Sequence, residues 1–220
     1  MNKNRYWLVA LALCLSPLCK ADTIYSFSLD TAPLAGNGPF TLDLQFLAGG
    51  GAPNDLNLNT IALSGFTFGG GAPLGGGTAT GGATGSLASG VTLTDSAFFN
   101  EYYENFTPGT LLSFTIDSTN APSPSGTPDL FTVAILDSNG NELPTNGPAS
   151  EFLDVSLAGG SSPAVTTYGS APGSALALPA PVVQSQTRAV IPEPASYWEM
   201  LAALTAIAVG RRVSKAGYSQ

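Results

Sequence analysis

The chain has 220 residues, room for one domain of ordinary size plus targeting segments and too few for a multidomain machine. Hydrophobic residues make up 44% and charged ones only 10%, well under the globular norm, while 26 Gly and 17 Pro favour turn-rich β structure over long helices. There is no histidine, which excludes His-based catalysis, and the basic residues lie at the two ends, which excludes nucleic-acid binding by an acidic middle that has no cation to offer phosphates.

The N-terminus begins with a short basic region, Lys3 and Arg5, followed by the apolar run Tyr6 to Leu15 and the helix breakers Ser16 and Pro17. Cys19-Lys20-Ala21 then places small residues at its first and third positions. This three-part layout predicts a secretory signal peptide over residues 1–21, a signal helix removed by signal peptidase after Ala21. The apolar run is too short to span a bilayer unaided, which argues against a retained anchor. Leu18 stands where lipoprotein processing at Cys19 wants a small residue. Both cysteines, Cys14 and Cys19, belong to this segment, so the mature chain has neither a disulfide nor a thiolate metal site and is held by its own core.

From Ala21 to Thr187 there is no Lys or Arg, against nine Asp and four Glu, and most of these acids are expected on a solvated face. The body, residues 22–180, shows period-two alternation in several runs. Tyr25, Phe27 and Leu29 alternate with polar neighbours, and so do Phe40, Leu42, Leu44 and Phe46. Weaker strands are expected around 58–68 and 87–94. Between them, 65–90 contains 11 glycines, including Gly69-Gly70-Gly71 and Gly75-Gly76-Gly77, and reads as a mobile loop. These glycines do not match a phosphate-binding loop, because no Lys and no helix follows them.

The segment Phe98-Phe99-Asn100-Glu101-Tyr102-Tyr103-Glu104-Asn105-Phe106 is the densest cluster of function-capable residues. Its aromatics can stack on sugar rings while its acids accept hydroxyl hydrogen bonds, with Tyr102 and Tyr103 as the candidate glycan contacts. The competing reading is structural, with Phe99, Tyr103 and Phe106 anchoring a crossing segment over the core. A glycosidase would also need two carboxylates across the scissile bond, and the spacing of Glu101 and Glu104, merely three apart, does not show their separation in space. Leu112, Phe114 and Ile116 form the next alternating run, followed by Phe131, Val133 and Ile135. Asp137-Ser138-Asn139-Gly140-Asn141 then carries Asn-Gly, a hairpin-turn signal. Its oxygens, with Glu142, suggest a calcium loop, but Gly140 comes at the fourth position and no Glu closes a 12-residue loop. An ordinary turn is the simpler reading.

Leu153, Val155 and Leu157 complete the clear strands, a last strand is expected near 175–178, and residues 181–191 read as a linker. Seven or more short strands, each with one apolar face, must pair those faces. The predicted fold is therefore all-β, an antiparallel two-sheet β-sandwich with a jelly-roll-like order preferred, flanked by the signal helix and a C-terminal hydrophobic helix. Alternation by itself leaves the strand order open.

The C-terminus reads Pro192-Glu193-Pro194, an apolar stretch from Tyr197 to Gly210, then Arg211-Arg212. The prolines disfavour helix in the residues before them and keep the tripeptide extended. The arginines would hold the helix end on the cytoplasmic side. Tripeptide, helix and basic stop in this order, over about residues 192–213, closely resemble the PEP-CTERM sorting signal of Gram-negative bacteria. Two features depart from that pattern: the helix carries Glu199 near its start and its clean apolar run, Met200 to Val209, covers only about half of a hydrocarbon core, and a tail runs on past the arginines to Gln220. The resemblance implies processing by an exosortase from an inner-membrane intermediate, delivery to the cell surface or extracellular matrix, and an association with exopolysaccharide. It implies a structural or adhesive protein rather than an enzyme, with a carbohydrate-binding module as the alternative. No pattern in the chain points to a catalytic residue, a metal ligand or a cofactor.

Overall fold

A computed structural model of the chain describes residues 23–50, 56, 59–121, 126–159 and 162–187. The expected signal segment 1–21 with Ala21, the expected sorting tail 192–213 with Pro192, Glu193, Pro194, Arg211 and Arg212, and both expected flanking helices fall on residues outside the described ones. Among the described residues no helix is long and apolar enough to cross a membrane.

The described residues are all-β. The strands are β1 (Thr23–Asp30), β2 (Phe40–Leu47), β3 (Thr60–Thr67), β4 (Ala72–Pro73), β5 (Thr78–Thr80), β6 (Gly82–Ser86) and β7 (Gly90–Thr94). They continue as β8 (Phe99–Thr107), β9 (Leu111–Ser118), β10 (Asp129–Leu136), β11 (Leu153–Leu157), β12 (Ala164–Thr167) and β13 (Val182–Thr187). Two antiparallel sheets result. One has six strands in the order β13-β1-β9-β3-β7-β6; the other runs β12-β11-β10-β2-β8-β4, with β5 also paired to β8.

Alternation explains the layering. Tyr25, Phe27 and Leu29 of β1, Phe114 and Ile116 of β9 and Ile61 and Leu63 of β3 turn inward from the six-stranded sheet. They join Leu42, Leu44 and Phe46 of β2, Phe131, Val133 and Ile135 of β10 and Val155 of β11 in one buried cluster. Cross-strand Phe27 and Phe114 stack with ring centroids 4.5 Å apart, and Phe68 meets Phe106 of the other sheet at 5.5 Å. Each such side chain contributes roughly 1.5–3 kcal/mol by leaving water, which is what holds a domain without disulfides.

The structure corrects three expectations. The 65–90 segment is not a mobile loop: it builds β4, β5 and β6, held by side chains described below. No strand forms at 175–178; Leu178 is buried there without regular pairing. The chain instead adds β12 earlier and β13 later, so 182–187 of the expected linker lies hydrogen-bonded along β1, with Val183 opposite Phe27. This edge strand was hard to read because Val183 is the one apolar residue it packs against the core, among Gln and Ser.

Candidate functional site

β8 is the hinge of the site because its two faces do different jobs. Its inward face is Asn100, Tyr102, Glu104 and Phe106, all buried. A strand with two polar residues on its buried face has no hydrophobic alternation, which is why the segment did not read as a strand. The expectation that Tyr102 contacts glycan is therefore wrong: Tyr102 is 2% exposed and points into the domain.

The inward polar groups are fully engaged with the Gly-rich segment. Asn100 Oδ1 accepts from Gly82 N at 2.7 Å and Ala97 N at 3.2 Å, while its Nδ2 donates to Phe46 O and Ala97 O. Glu104 Oε1 accepts from Gly75 N at 3.0 Å, and Oε2 accepts from Leu87 N at 2.9 Å and from the Tyr102 hydroxyl. Burial raises the Tyr102 phenol, and the Glu104 carboxylate beside it raises it further. A Cβ at Gly77 would collide with the Tyr102 hydroxyl, so the glycine lets the backbone approach.

Other acids also prove structural rather than solvated. Asn59, Asp95 and Asp129 are buried together, with Asn59 Nδ2 donating to Asp129 Oδ2 at 2.7 Å and Asn59 N to Asp95 Oδ2 at 2.9 Å. Asp129 Oδ1 takes Gly49 N at 2.8 Å, latching one loop to β10. Asp137 ties its own turn, accepting from Asn139 N and Asn141 N, and these backbone donors hold its carboxyl below the usual range. Its oxygens thus serve the turn around Gly140. Among the described residues no group of three or more metal-ligating side chains is assembled.

The outward face of β8 carries Phe99, Glu101, Tyr103 and Asn105. Phe99 is 37% exposed and Tyr103 40%, so both rings present themselves to solvent, and Phe98 beside them is exposed as well. Register extends the face across the sheet. Thr80 pairs with Glu101, Glu101 with Gln45, Gln45 with Thr132, Thr132 with Asp154 and Asp154 with Thr166. Directly paired residues share a face, so these six polar side chains form one row from β5 to β12. The next row joins Thr78, Tyr103, Asp43 and Ala134. From β8 to β12 the face spans roughly 19 Å at the usual strand spacing.

Its electrostatics are one-signed. Asp43 Oδ2 accepts from Gln45 Nε2 at 2.7 Å, while Oδ1 is buried with no hydrogen-bond partner. Burial pushes Asp43 up to about 6, with repulsion from Glu101 and Glu142 adding to it. Asp154 is pushed to about 6 by burial and by neighbouring Glu151, although Tyr168 donates to its Oδ2 at 3.2 Å. Burial also raises Glu101. No Lys, Arg or His exists among the described residues to pair with any of them.

A concavity of about 500 Å³ opens between the edges of the two sheets, lined by Thr23, Tyr25, Pro163, Val165, Thr167, Val183 and Ser185 among others. It carries hydroxyls but no charge. The chain matches no family model, no curated protein and no solved structure.

Proposed function

We propose that this is an exported, non-catalytic protein of the cell surface or extracellular matrix that adheres to polysaccharide through the outer face of its seven-stranded sheet. The observation that carries the reading is the Phe99–Glu101–Tyr103 stripe: two exposed rings flanking an acid on one strand face. Aromatic rings offer apolar faces that stack on the C–H surface of a sugar, and the acid and amide side chains of the adjoining row accept and donate hydrogen bonds to hydroxyls. Tyr103 remains a glycan contact in this reading, Tyr102 does not, and Phe99 and Glu101 replace it.

Two arguments favour adhesion over hydrolysis. Glu101 and Asp154 lie three strand spacings apart, about 14 Å, farther than the roughly 6.5–9.5 Å that an inverting carboxylate pair needs. Asp43 is nearer to Glu101, but at 4% exposure it is covered from substrate.

Delivery rests on the two ends. Signal peptidase would cut after Ala21, and an exosortase would act at Pro192-Glu193-Pro194 while Arg211 and Arg212 keep the tail end in the cytoplasm. The inner membrane is then a stage of transit. A jelly-roll-like order is part of the same proposal: the chain crosses between sheets from β1 through β4 and again from β7 through β10, while β10 to β12 stay in one sheet.

Two measurements test this. Full-length protein applied to an array of bacterial exopolysaccharides should bind at least one of them, and Tyr103→Ala should weaken that binding; a blank array would remove the glycan reading. Mass spectrometry of the surface fraction from an exosortase-bearing host should lack peptides from 197–220, and their recovery there would contradict tail processing.

A further inference from the structure

The adhesive face has a charge character that narrows its ligand. Resting on the polysaccharide reading, we infer that the ligand carries unsubstituted amino sugars, whose protonated amines are held at Glu101 between the rings of Phe99 and Tyr103.

Three observations lead there. The stripe places Glu101 midway between two stacking rings, about 7 Å of strand from each, so a chain lying along β8 brings an amine to the acid while its rings sit on the aromatics. Asp43, cross-strand from Tyr103 on the same face, is buried with its Oδ1 lacking a hydrogen-bond partner, and it adds negative field beside the stripe although the ligand does not reach it. Glu142 and Glu151 add negative field around Asp43 and Asp154, and no cation within the described residues offsets it. A uronate or sulfated polymer would meet only like charge here. A neutral polymer would leave Glu101 half-buried without a counterion, whereas an ammonium group provides one with a charge-assisted hydrogen bond. The rings favour the same ligand, because an ammonium near an aromatic face is attracted by its quadrupole.

Binding of a polycation to an acidic protein needs a control for general attraction. Asp30 is exposed on β1 in the other sheet, so Asp30→Asn removes the same charge away from the stripe. The experiment compares full-length protein, Glu101→Gln, Asp30→Asn and Phe99→Ala on a soluble glucosamine polymer in partly deacetylated and fully N-acetylated forms. The wild type should bind the deacetylated form about ten-fold or more tightly, Glu101→Gln should collapse that preference, and Asp30→Asn should keep it. Phe99→Ala should weaken both forms. Equal binding of the two forms would overturn the amine assignment while leaving the polysaccharide reading intact. Equal losses in Glu101→Gln and Asp30→Asn would also overturn it, as mere charge attraction. Failure to bind either form, with binding to a neutral or anionic exopolysaccharide elsewhere, would overturn the amine assignment alone. Failure on every polysaccharide would remove both.

Discussion

Glu104 is a carboxylate buried without a cation, and its two backbone donors and one phenol make it tolerable. Replacing it with Ala would strand the amides of Gly75 and Leu87 and the Tyr102 hydroxyl, each at about 1–3 kcal/mol. Glu104→Ala is expected to lower unfolding free energy by several kcal/mol in urea titration; a change within ~0.5 kcal/mol would contradict the network. Gly77→Ala should be destabilising for a different reason, the collision with Tyr102, and Tyr102→Phe should partly relieve it in a double-mutant cycle. Asp43 gives a pH signature. Its folded value, about 6, lies above its ordinary 3.8, so the folded state binds the proton more tightly and stability falls as pH rises from about 4 to about 6. Asp43→Asn should therefore raise the melting temperature at pH 7 and leave it little changed at pH 4. A larger gain at pH 4 would reverse the assignment. Buried acids of this kind were not legible beforehand, because composition marks Asp and Glu as surface residues and only tertiary contacts reveal Glu104 or Asp129 as latches.

Strands with clean alternation were readable from the residues, and β1, β2, β9, β10 and β11 occur where their apolar periods put them. Elements that failed share a cause: their inward positions are interrupted by polar residues or hold a single apolar one. β8 turns Asn100 and Glu104 inward, and β4 to β6 are paired largely by Gly and Thr, with Ala83 the buried apolar residue of β6. Strand pairing there is fixed by the Asn100 and Glu104 hydrogen bonds rather than by side-chain hydrophobicity. β13 is the third case, an edge strand with one apolar contact. Val183→Asp would place a charge against Phe27 and the core edge, and is expected to cost on the order of 2 kcal/mol. Hydrogen exchange should then show faster exchange in β1 amides facing β13, with β10 and β2 unaffected; unchanged β1 protection would argue that 182–187 is dispensable. The two-faced reading of β8 also explains why the candidate site was only half visible. An aromatic-acid cluster marked the segment, but choosing between Tyr102 and Tyr103 required knowing which alternate positions face water.

At the scale of the molecule, every described residue belongs to a domain with acids and no bases. Such a body repels itself, so stability should rise as ionic strength goes from about 10 mM to about 150 mM, where screening lengths drop from roughly 30 to 8 Å. A fall in melting temperature over that range would contradict it. In the proposed reading this one-signed charge gives the sheet face its selectivity for amines, since the described residues hold acids and no Lys, Arg or His. The most direct test of the account is affinity electrophoresis of the full chain through gels containing an exopolysaccharide that the array identifies, comparing wild type with Phe99→Ala/Tyr103→Ala. The account predicts that the wild type is retarded, that the double variant is not, and that both melt at the same temperature. Equal retardation of the two proteins, with folding intact, would contradict the outer sheet face as the adhesive site.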